Sequence, residues 1–240
     1  MFDQKWLLLL ELRSKNNIKS YITVEYPGRT AILTINRPQK LGAVTKKRVL
    51  PLTKRLREID THDEVFITIL TGTRRFFSAE TVAHTLNSTE AFYAHSKILV
   101  TALDGPGVGI AAALISFVDF VFCAPHTYLL TPFFTSLGLI DEGSALVGFV
   151  RRMGVSKAMG ALLKSRKIWQ MTFWRGDEKL RERLVAHVDD ILEEHLVGSI
   201  LLETKKPLVL VMKRQVDLSL MAELIGGVEE AGVGDSAERV

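Results

Sequence analysis

The segment DGPGVGIAAALISFVDFVF, residues 104–122, constrains the fold more than any other stretch of the chain. Three glycines stand at alternate positions, Gly105, Gly107 and Gly109, ahead of a run of small apolar residues. Such a run predicts either close packing of two backbones or direct access of a ligand to the main chain. We expect the chain to turn at the glycines and to form a helix over roughly residues 109–118. The start of that helix would carry backbone N–H groups without intrahelical acceptors, which can stabilise an oxyanion.

Two phosphate-binding motifs do not fit the glycine spacing. A dinucleotide-binding turn has the pattern G-x-G-x-x-G, whereas the third glycine here comes one residue too early. A phosphate loop of the G-x-x-x-x-G-K type needs a lysine, and none follows these glycines. A tight turn with close helix packing explains the glycines equally well, so that structural interpretation and the oxyanion interpretation both stay open on the residues alone.

Apolar runs that alternate with amphipathic segments predict a layered α/β protein. Residues 21–36 alternate around a Pro-Gly turn, which predicts a β-hairpin. Residues 65–72 form a continuous apolar run ended by Gly72, typical of a strand buried on both faces. The other predicted elements are helices over 46–60, 142–154 and 156–167, a helix passing into a strand over 89–105, and strands over 119–124 and 127–133.

The chain is predicted to be mostly helical from about residue 175, where acidic residues separate apolar ones at three-to-four spacing. We therefore expect an N-terminal extension at 1–20, an α/β core at 21–174 and a C-terminal helical region at 175–240.

Composition excludes several classes of protein. Hydrophobic residues make up 47% of the 240 residues and charged residues 24%, which is typical of a globular chain. The net charge of +4 is spread along the sequence, and its densest basic segment, 45–58, has apolar residues at helical spacing. We interpret that segment as the solvated face of a helix and expect no nucleic-acid partner. No run is long enough for a membrane span, and Cys123, the only cysteine, is expected to be a buried, inert thiol.

Two adjacent acids, Asp141 and Glu142, precede the helix predicted over 142–154. Acids at a helix start commonly serve as a cap or as partners of the helix dipole. The apolar residues before them would also permit a desolvated carboxylate with a raised pKa, which suits a general base. The spacing alone leaves both interpretations open.

Three segments together resemble a known family. RRFFSAETV, HSKILVTALDGPGVGIAAALISFVDFVF and YLLTPFFTSLGLIDEGSALVGFVRRMGVSKA are similar in order and spacing to the crotonase (enoyl-CoA hydratase/isomerase) superfamily, and most similar to its fungal peroxisomal Δ3,Δ2-enoyl-CoA isomerase branch. The resemblance covers roughly residues 20–168. It implies a crotonase-like spiral of ββα turns with a C-terminal helical region, assembled into a homo-oligomer, a trimer or a hexamer.

The resemblance also implies the site residues. Two backbone N–H groups would form an oxyanion hole, those of Thr81 and Ile110. Substrate or coenzyme A contacts are implied at Ala43, Ala79 and Gly109. The substrate would be an acyl-CoA thioester, and no cofactor or metal is expected.

The acids of the sequence favour one reaction of the family. Hydratases of this family carry a glutamate at the position of Ala113 and a second one at the position of Glu142. Adding water calls for two carboxylates, whereas a 1,3-proton shift needs only one. The resemblance therefore implies an isomerase with Glu142 as the catalytic base, while Asp141 is given no catalytic role.

Several departures from the family pattern keep other functions open. The glycine usual before the first oxyanion donor is Glu80 here, and the loop that follows is shorter than usual. These changes favour a non-catalytic crotonase-fold subunit, and a hydratase-type reaction with one acid is a further alternative. The resemblance implies a peroxisome, but the chain ends in AERV rather than in a targeting tripeptide. The cytoplasm is the alternative expectation.

Overall fold

A computed structural model describes residues 22–36, 43–44, 46–72, 77–79, 85–131, 143–169, 184–188 and 198–237. The strands are β1 (Ile22–Glu25), β2 (Thr30–Ile35), β3 (Ala43–Val44), β4 (Ile67–Gly72), β5 (Phe77–Ala79), β6 (Ile98–Leu103), β7 (Gly107–Gly109), β8 (Phe120–Cys123) and β9 (Leu129–Leu130). The helices are α1 (Lys46–Asp60), α2 (Thr85–Tyr93), α3 (Ile110–Ile115), α4 (Ala145–Met153), α5 (Val155–Leu162) and α6 (Gly198–Ala237), with a further helical turn at 184–188.

The strands form two sheets that are built up together along the chain. The larger sheet has the order β1-β2-β4-β6-β8 and the smaller one the order β3-β5-β7-β9. From β2 onward, successive pairs of strands therefore place their first member in the large sheet and their second in the small one. All neighbours except β1 and β2 run parallel. This repeated step is the ββα spiral expected from the resemblance, and the predicted α/β class is confirmed.

The predicted hairpin is also confirmed. Strands β1 and β2 pair antiparallel, with Ile22 opposite Ile35. The turn between them contains Gly28 at φ 57°, in the left-handed region that glycine enters at little cost. All six residues of β2 are buried, because parallel β4 pairs along its other edge and both faces of the sheet are covered.

The large sheet separates two apolar clusters. The larger cluster includes Leu33, Leu70 and Leu99 and extends to the whole of helix α3. The smaller cluster includes Ile32, Ile69 and Val100 and packs against the helical turn at 184–188 and the start of α6. Alternate residues of each strand enter opposite clusters, as the period of two along a strand requires. Cys123 is buried as predicted.

Helix α1 carries the densest basic segment of the chain. Its buried residues Leu52, Leu56 and Ile59 recur at helical spacing, and Pro51 lies within the helix without ending it. On the outer side Arg57 pairs with Glu90 at 2.9 Å, both half-exposed. For residues 51–58, whose side chains the structure describes, the interpretation as the solvated face of an amphipathic helix is confirmed.

Helix α6 is attached to the core by apolar and polar contacts. Met212, Val216 and Leu220 recur every four residues and are buried. Lys205 Nζ donates to Asp119 Oδ2 at 2.5 Å and to the carbonyl of Lys97 at 2.6 Å. Further along, Tyr93 Oη donates to Asp217 Oδ1 at 3.1 Å. No helix in the described part of the chain is sufficiently long and apolar to cross a membrane.

Several predicted boundaries were wrong. Helix α2 begins at Thr85, not at Thr89, and helix α5 ends at Leu162, not at Lys167. Helix α3 ends at Ile115, not near 118, because Phe117 and Val118 bond back to the carbonyls of Leu114 and Ile115 and tighten the last turn. In the strand predicted over 127–133, the described residues pair only at Leu129–Leu130.

Helix α4 begins at Ala145, with Ser144 at its N-cap. The predicted start at Glu142 is therefore wrong. Asp141 and Glu142 themselves lie outside the described residues, so their interpretation as a cap or as partners of the helix dipole stays a prediction.

Candidate active site

Three strands of the small sheet end side by side. Val44 of β3 is level with Ala79 of β5, and Ala79 is level with Gly109 of β7. Because the strands are parallel, their carboxyl ends lie at one edge of the sheet. The structure thus places Ala43, Ala79 and Gly109, the predicted substrate or coenzyme A contacts, in three neighbouring strands.

Gly109 makes the turn from β7 into α3. Its φ of 69° and ψ of −137° lie in a region that residues with a side chain rarely enter. The turn lets helix α3 begin at Ile110 directly after the strand. The N–H of Ile110 belongs to the first helical turn, where amides have no intrahelical acceptor. Within the described residues, no side chain caps this helix start.

Helix α3 carries no ionisable side chain. All six of its residues are apolar and buried, with exposures between 0% and 4%. Ala113 is fully enclosed in the larger apolar cluster, and its carbonyl accepts a bond from Ser116 Oγ at 2.5 Å. An unpaired carboxylate at position 113 would be strongly disfavoured in this environment. Any acid that acts near Ile110 must therefore come from another element.

Helix α4 packs closely on α3. A Cβ added to Gly148 would come within 1.8 Å of Ser116 Oγ, so only glycine permits this approach. Arg152 of the same helix donates its Nε hydrogen to the Ser116 carbonyl at 2.7 Å. Burial lowers the pKa of Arg152 to about 10, with Arg151 as a smaller cause, so the guanidinium keeps its charge at neutral pH. These contacts fix α4 relative to the helix that carries the Ile110 N–H.

A carboxylate from the C-terminal helix lies at the start of α4. Glu223 Oε2 accepts the N–H of Gly143 at 3.0 Å, and Oε1 accepts the N–H of Ser144 at 2.8 Å. Burial raises the pKa of Glu223, while hydrogen bonds from Ser144, Ser219 and Gly143 oppose that rise.

No local sequence pattern predicts the contacts of Glu223, because 79 and 80 residues separate it from its partners. The spacing along α6 does indicate which face of the helix carries Glu223. Glu223 stands three residues after Leu220 and seven after Val216, and therefore shares the buried face of α6.

Four residues that the sequence singled out lie outside the described residues: Glu80, Thr81, Asp141 and Glu142. The proposed oxyanion donor of Thr81 and the proposed base Glu142 therefore stay predictions. Their chain neighbours are placed, since Ala79 ends β5 and Gly143 precedes α4.

A second group of polar side chains lies on α1, β4 and the residues between α2 and β6. His95 Nε2 is 2.8 Å from Thr68 Oγ1, and His95 Nδ1 is 2.9 Å from Asp60 Oδ1. The order acid, imidazole and hydroxyl is the one used by nucleophilic enzymes, but His95 and Thr68 are both 0% exposed. Burial lowers the pKa of His95, and Asp60 counteracts part of this shift. The enclosed group serves to satisfy buried polar atoms and offers no access to a substrate.

A cavity of about 500 Å³ lies at the smaller apolar cluster, lined by residues that include Ile67, Val100, Phe122 and Leu201. Its described lining contains none of Ala43, Ala79, Gly109 and Ile110. The cavity is therefore separate from the edge of the small sheet where those residues meet.

Comparison with known proteins identifies the family of proteins to which this chain belongs. The family model described as enoyl-CoA hydratase/isomerase matches residues 26–172. The chain belongs to that family, within the crotonase superfamily.

Two curated relatives are isomerases of unsaturated acyl-CoA thioesters. The Delta(3,5)-Delta(2,4)-dienoyl-CoA isomerase of Pyricularia oryzae is 40% identical, over 82% of this chain and 85% of that protein. The 3,2-trans-enoyl-CoA isomerase of Saccharomyces cerevisiae is 29% identical, over 59% of this chain and 60% of that protein. The expected similarity to fungal enoyl-CoA isomerases is confirmed.

Solved structures share the fold. An enoyl-CoA hydratase from Mycobacterium avium subsp. paratuberculosis superimposes with a TM-score of 0.77, covering 88% of this chain and 93% of that chain. Only 19% of its residues are identical, so the likeness shows the architecture and does not assign a reaction.

Proposed function

We propose that this protein is an isomerase that moves a carbon–carbon double bond of a 3-enoyl-CoA thioester to the 2-position. The observation that carries the proposal is the start of α3. Gly109 turns the chain so that the Ile110 N–H lies beyond the strand ends, while the helix behind it is apolar throughout. The site thus combines a main-chain donor for an oxyanion with a helix that supplies no acid.

The proposed reaction uses one carboxylate. Glu142 removes a proton from C2 of the acyl chain, and the electron pair moves onto the thioester oxygen to give a dienolate. The N–H groups of Thr81 and Ile110 stabilise the negative charge on that oxygen. Glu142 then returns the proton to C4, and the double bond forms between C2 and C3. The step is redox-neutral and consumes no second reactant, so we propose that it needs no cofactor.

Ala113 supports isomerisation over hydration. Water addition to a double bond needs one group to activate the water and another to supply a proton. The family's second glutamate position is occupied here by an alanine with 0% exposure. Since all residues of α3 are apolar, no other residue of this helix can supply the second acid.

Turnover of a 3-enoyl-CoA tests the proposal. The purified protein should produce the conjugated 2-enoyl-CoA, followed by its ultraviolet absorbance. Glu142→Gln should lower kcat by roughly 10²–10⁴-fold, the usual contribution of a positioned base. Glu203→Gln serves as the matched control, because Glu203 is an exposed carboxylate paired with Lys206 on the surface of α6.

Two results would overturn the isomerase proposal. Formation of a 3-hydroxyacyl-CoA from a 2-enoyl-CoA would assign a hydratase. Tight coenzyme A binding without turnover of any unsaturated thioester, unchanged by Glu142→Gln, would assign a non-catalytic subunit.

The 40% identical relative favours a second substrate, a 3,5-dienoyl-CoA. Its conversion to the 2,4-dienoyl-CoA moves a proton from C2 to C6, a longer path than the shift from C2 to C4. Asp141, next to Glu142 in the chain, would be available as a second carboxylate for the distant carbon. Assays with both substrates decide between the two reactions. Asp141→Asn should impair only the conversion of the dienoyl substrate.

Assembly and location belong to the same proposal. Exposed apolar side chains along α6, among them Leu210, Val211 and Leu218, support association of several copies of the chain. Sedimentation should then show a trimer or a hexamer, and a monomer would contradict this. The 29% identical mouse relative is named Enoyl-CoA delta isomerase 3, peroxisomal, and supports a peroxisomal location. Fluorescence microscopy of a tagged chain tests it.

A further inference from the structure

The carboxylate of Glu223 joins the end of the chain to the residues that follow the proposed base. Its two oxygens accept the consecutive N–H groups of Gly143 and Ser144, at 3.0 and 2.8 Å. Ser219, one helical turn earlier on α6, donates its hydroxyl to Oε1 at 3.2 Å. Each oxygen thus has a defined donor, and the two backbone donors are adjacent in the sequence.

The backbone at this point needs such support. Gly143 and Ser144 both have positive φ, 66° and 53° respectively. The N–H groups of these two successive residues both point at one carboxylate, that of Glu223. Ser144 has a side chain and is fully buried, so the conformation is unfavourable for it and persists only where contacts enforce it.

Helix α6 is anchored well enough to supply that support. Val216 and Leu220 insert into the larger apolar cluster on the face that carries Glu223. Val216 also accepts a long bond of 3.4 Å from Ser144 Oγ through its carbonyl. The carboxylate is therefore presented from a packed helix and not from a free side chain on the surface.

We propose that Glu223 is a positioning residue, which fixes the backbone directly after Glu142 by binding the Gly143 and Ser144 amides. This inference rests on the proposed role of Glu142. Glu223 itself contacts no reacting atom. It acts by holding the peptide units through which the side chain of the neighbouring base is oriented.

Hydrogen exchange tests the structural half of this inference without any substrate. Glu223→Gln keeps one acceptor oxygen and loses the other, and Glu223→Ala loses both. Exchange of the Gly143 and Ser144 amides should accelerate at least tenfold in Glu223→Gln and further in Glu223→Ala. The matched control Glu203→Gln, on the exposed face of the same helix, should leave both rates unchanged.

The exchange of core amides separates local release from general unfolding. The amides of Leu70 and Val100, in the middle of the large sheet, should keep their protection in Glu223→Gln. Unchanged protection of Gly143 and Ser144 would overturn the inference. Acceleration of all amides by the same factor would also overturn it, because Glu223 would then be merely stabilising. If Glu223→Ala does not fold, Glu223→Gln and Glu223→Asp give the same comparison.

Steady-state kinetics test the functional half. With a 3-enoyl-CoA, Glu223→Gln should lower kcat at least tenfold and change KM less than twofold, because the strand ends that carry Ala43, Ala79 and Gly109 are untouched. Glu203→Gln should keep the wild-type kcat. If the wild-type protein is active and Glu223→Gln has the same kcat, the positioning role of Glu223 is refuted.

The two proposals fail in different ways. In one case the wild-type protein shows no turnover, although Glu223→Gln still accelerates exchange of the Gly143 and Ser144 amides. That result would refute both the proposed reaction and the catalytic role of Glu223. In the other case the wild-type protein is active, but Glu223→Gln changes neither kcat nor the exchange of the Gly143 and Ser144 amides. That result would refute only the positioning role of Glu223.

Discussion

Helices α3 and α4 pack against each other, but the residues that lead into them differ. The start of α3 follows Gly109, and no described side chain caps it. Ahead of α4, the backbone N–H groups of Gly143 and Ser144 are occupied by the carboxylate of Glu223. Both starts present N–H groups that favour negative charge. Ahead of α4 two N–H groups are bound by an acid of the same chain, and at the start of α3 we propose that a substrate oxyanion binds.

This contrast supports the proposed binding of a substrate oxyanion at the start of α3. Buried N–H groups rarely go without partners in folded proteins, so a helix start without a cap is costly unless water or a ligand completes it. Ahead of α4, an acid from α6 binds the N–H groups of Gly143 and Ser144, although no described side chain caps the first turn of α4 itself. At α3 the residues of the first turn are small or apolar. We propose that the start of α3 is the functional site and that the Glu223 contact ahead of α4 supports it structurally.

The largest effect is expected from a change in the turn that precedes α3, because this turn places the Ile110 N–H. Gly109→Ala places a side chain at φ 69° and ψ −137°, a strained conformation that should shift the Ile110 N–H. We expect kcat to fall by roughly 10²–10³-fold, the usual effect of losing one oxyanion donor. Gly28→Ala is the matched control, because Gly28 has φ 57° in a turn with open space around it. That variant should lose about 1 kcal/mol of stability and keep its activity.

The contact between α3 and α4 gives the second test. Gly148→Ala should lower the free energy of unfolding by about 1–3 kcal/mol, because the added Cβ collides with Ser116. Gly160→Ala, in helix α5 with open space at its Cβ, should be stabilising by up to about 1 kcal/mol through helix propensity. Chemical denaturation measures both. Equal stabilities for the two variants would contradict the close packing.

The enclosed polar group at His95 offers a third test, away from both helix starts. Because burial lowers the pKa of His95, the unfolded chain binds its proton at a higher pH than the folded chain does. Stability should therefore fall as the pH drops below about 6.5, with a slope of at most about 1.4 kcal/mol per pH unit. Asp60, whose pKa is held below 3.8 because hydrogen bonds from His95 and Ser96 outweigh burial, loses its contribution only at lower pH.

His95→Gln should flatten that slope, measured as the free energy of unfolding against pH. His126→Gln, at a more than half-exposed histidine, should retain it. The difference between the two variants isolates His95, since every other titrating group is common to both. A slope that persists in His95→Gln would show that another group titrates.

The smallest effect concerns the docking of α6. Tyr93→Phe removes the hydroxyl that donates to Asp217, six residues before Glu223. The free energy of unfolding should fall by about 1 kcal/mol, the net value of a typical hydrogen bond. Activity should stay close to wild type, because the apolar contacts of Val216 and Leu220 keep the helix in place. Loss of turnover comparable to that in Glu223→Gln would mean that helix docking as a whole, and not the one carboxylate, controls the site.

Local sequence patterns predicted an element correctly where residues close together in the chain determine it. The Pro-Gly turn predicted the β1–β2 hairpin, the apolar run at 65–72 predicted β4, and the helical spacing of Leu52, Leu56 and Ile59 predicted the buried face of α1. Boundaries were less reliable, as at the end of α3 and the start of α4, because the final turns depend on single hydrogen bonds. The roles of Thr81 and Glu142 remain predictions from the resemblance.

The sequence by itself determined the alternation of strands and helices, the glycine turn at Gly109 and the apolar character of α3, since these follow from period, side-chain size and backbone freedom. Only the tertiary structure decided that Ala79 and Gly109 end side by side, and that Glu223 meets Gly143 and Ser144. A carboxylate and two amides about 80 residues apart have no local pattern in common. They meet because the apolar face of α6 must be buried, and the packing of that face carries Glu223 to the start of α4.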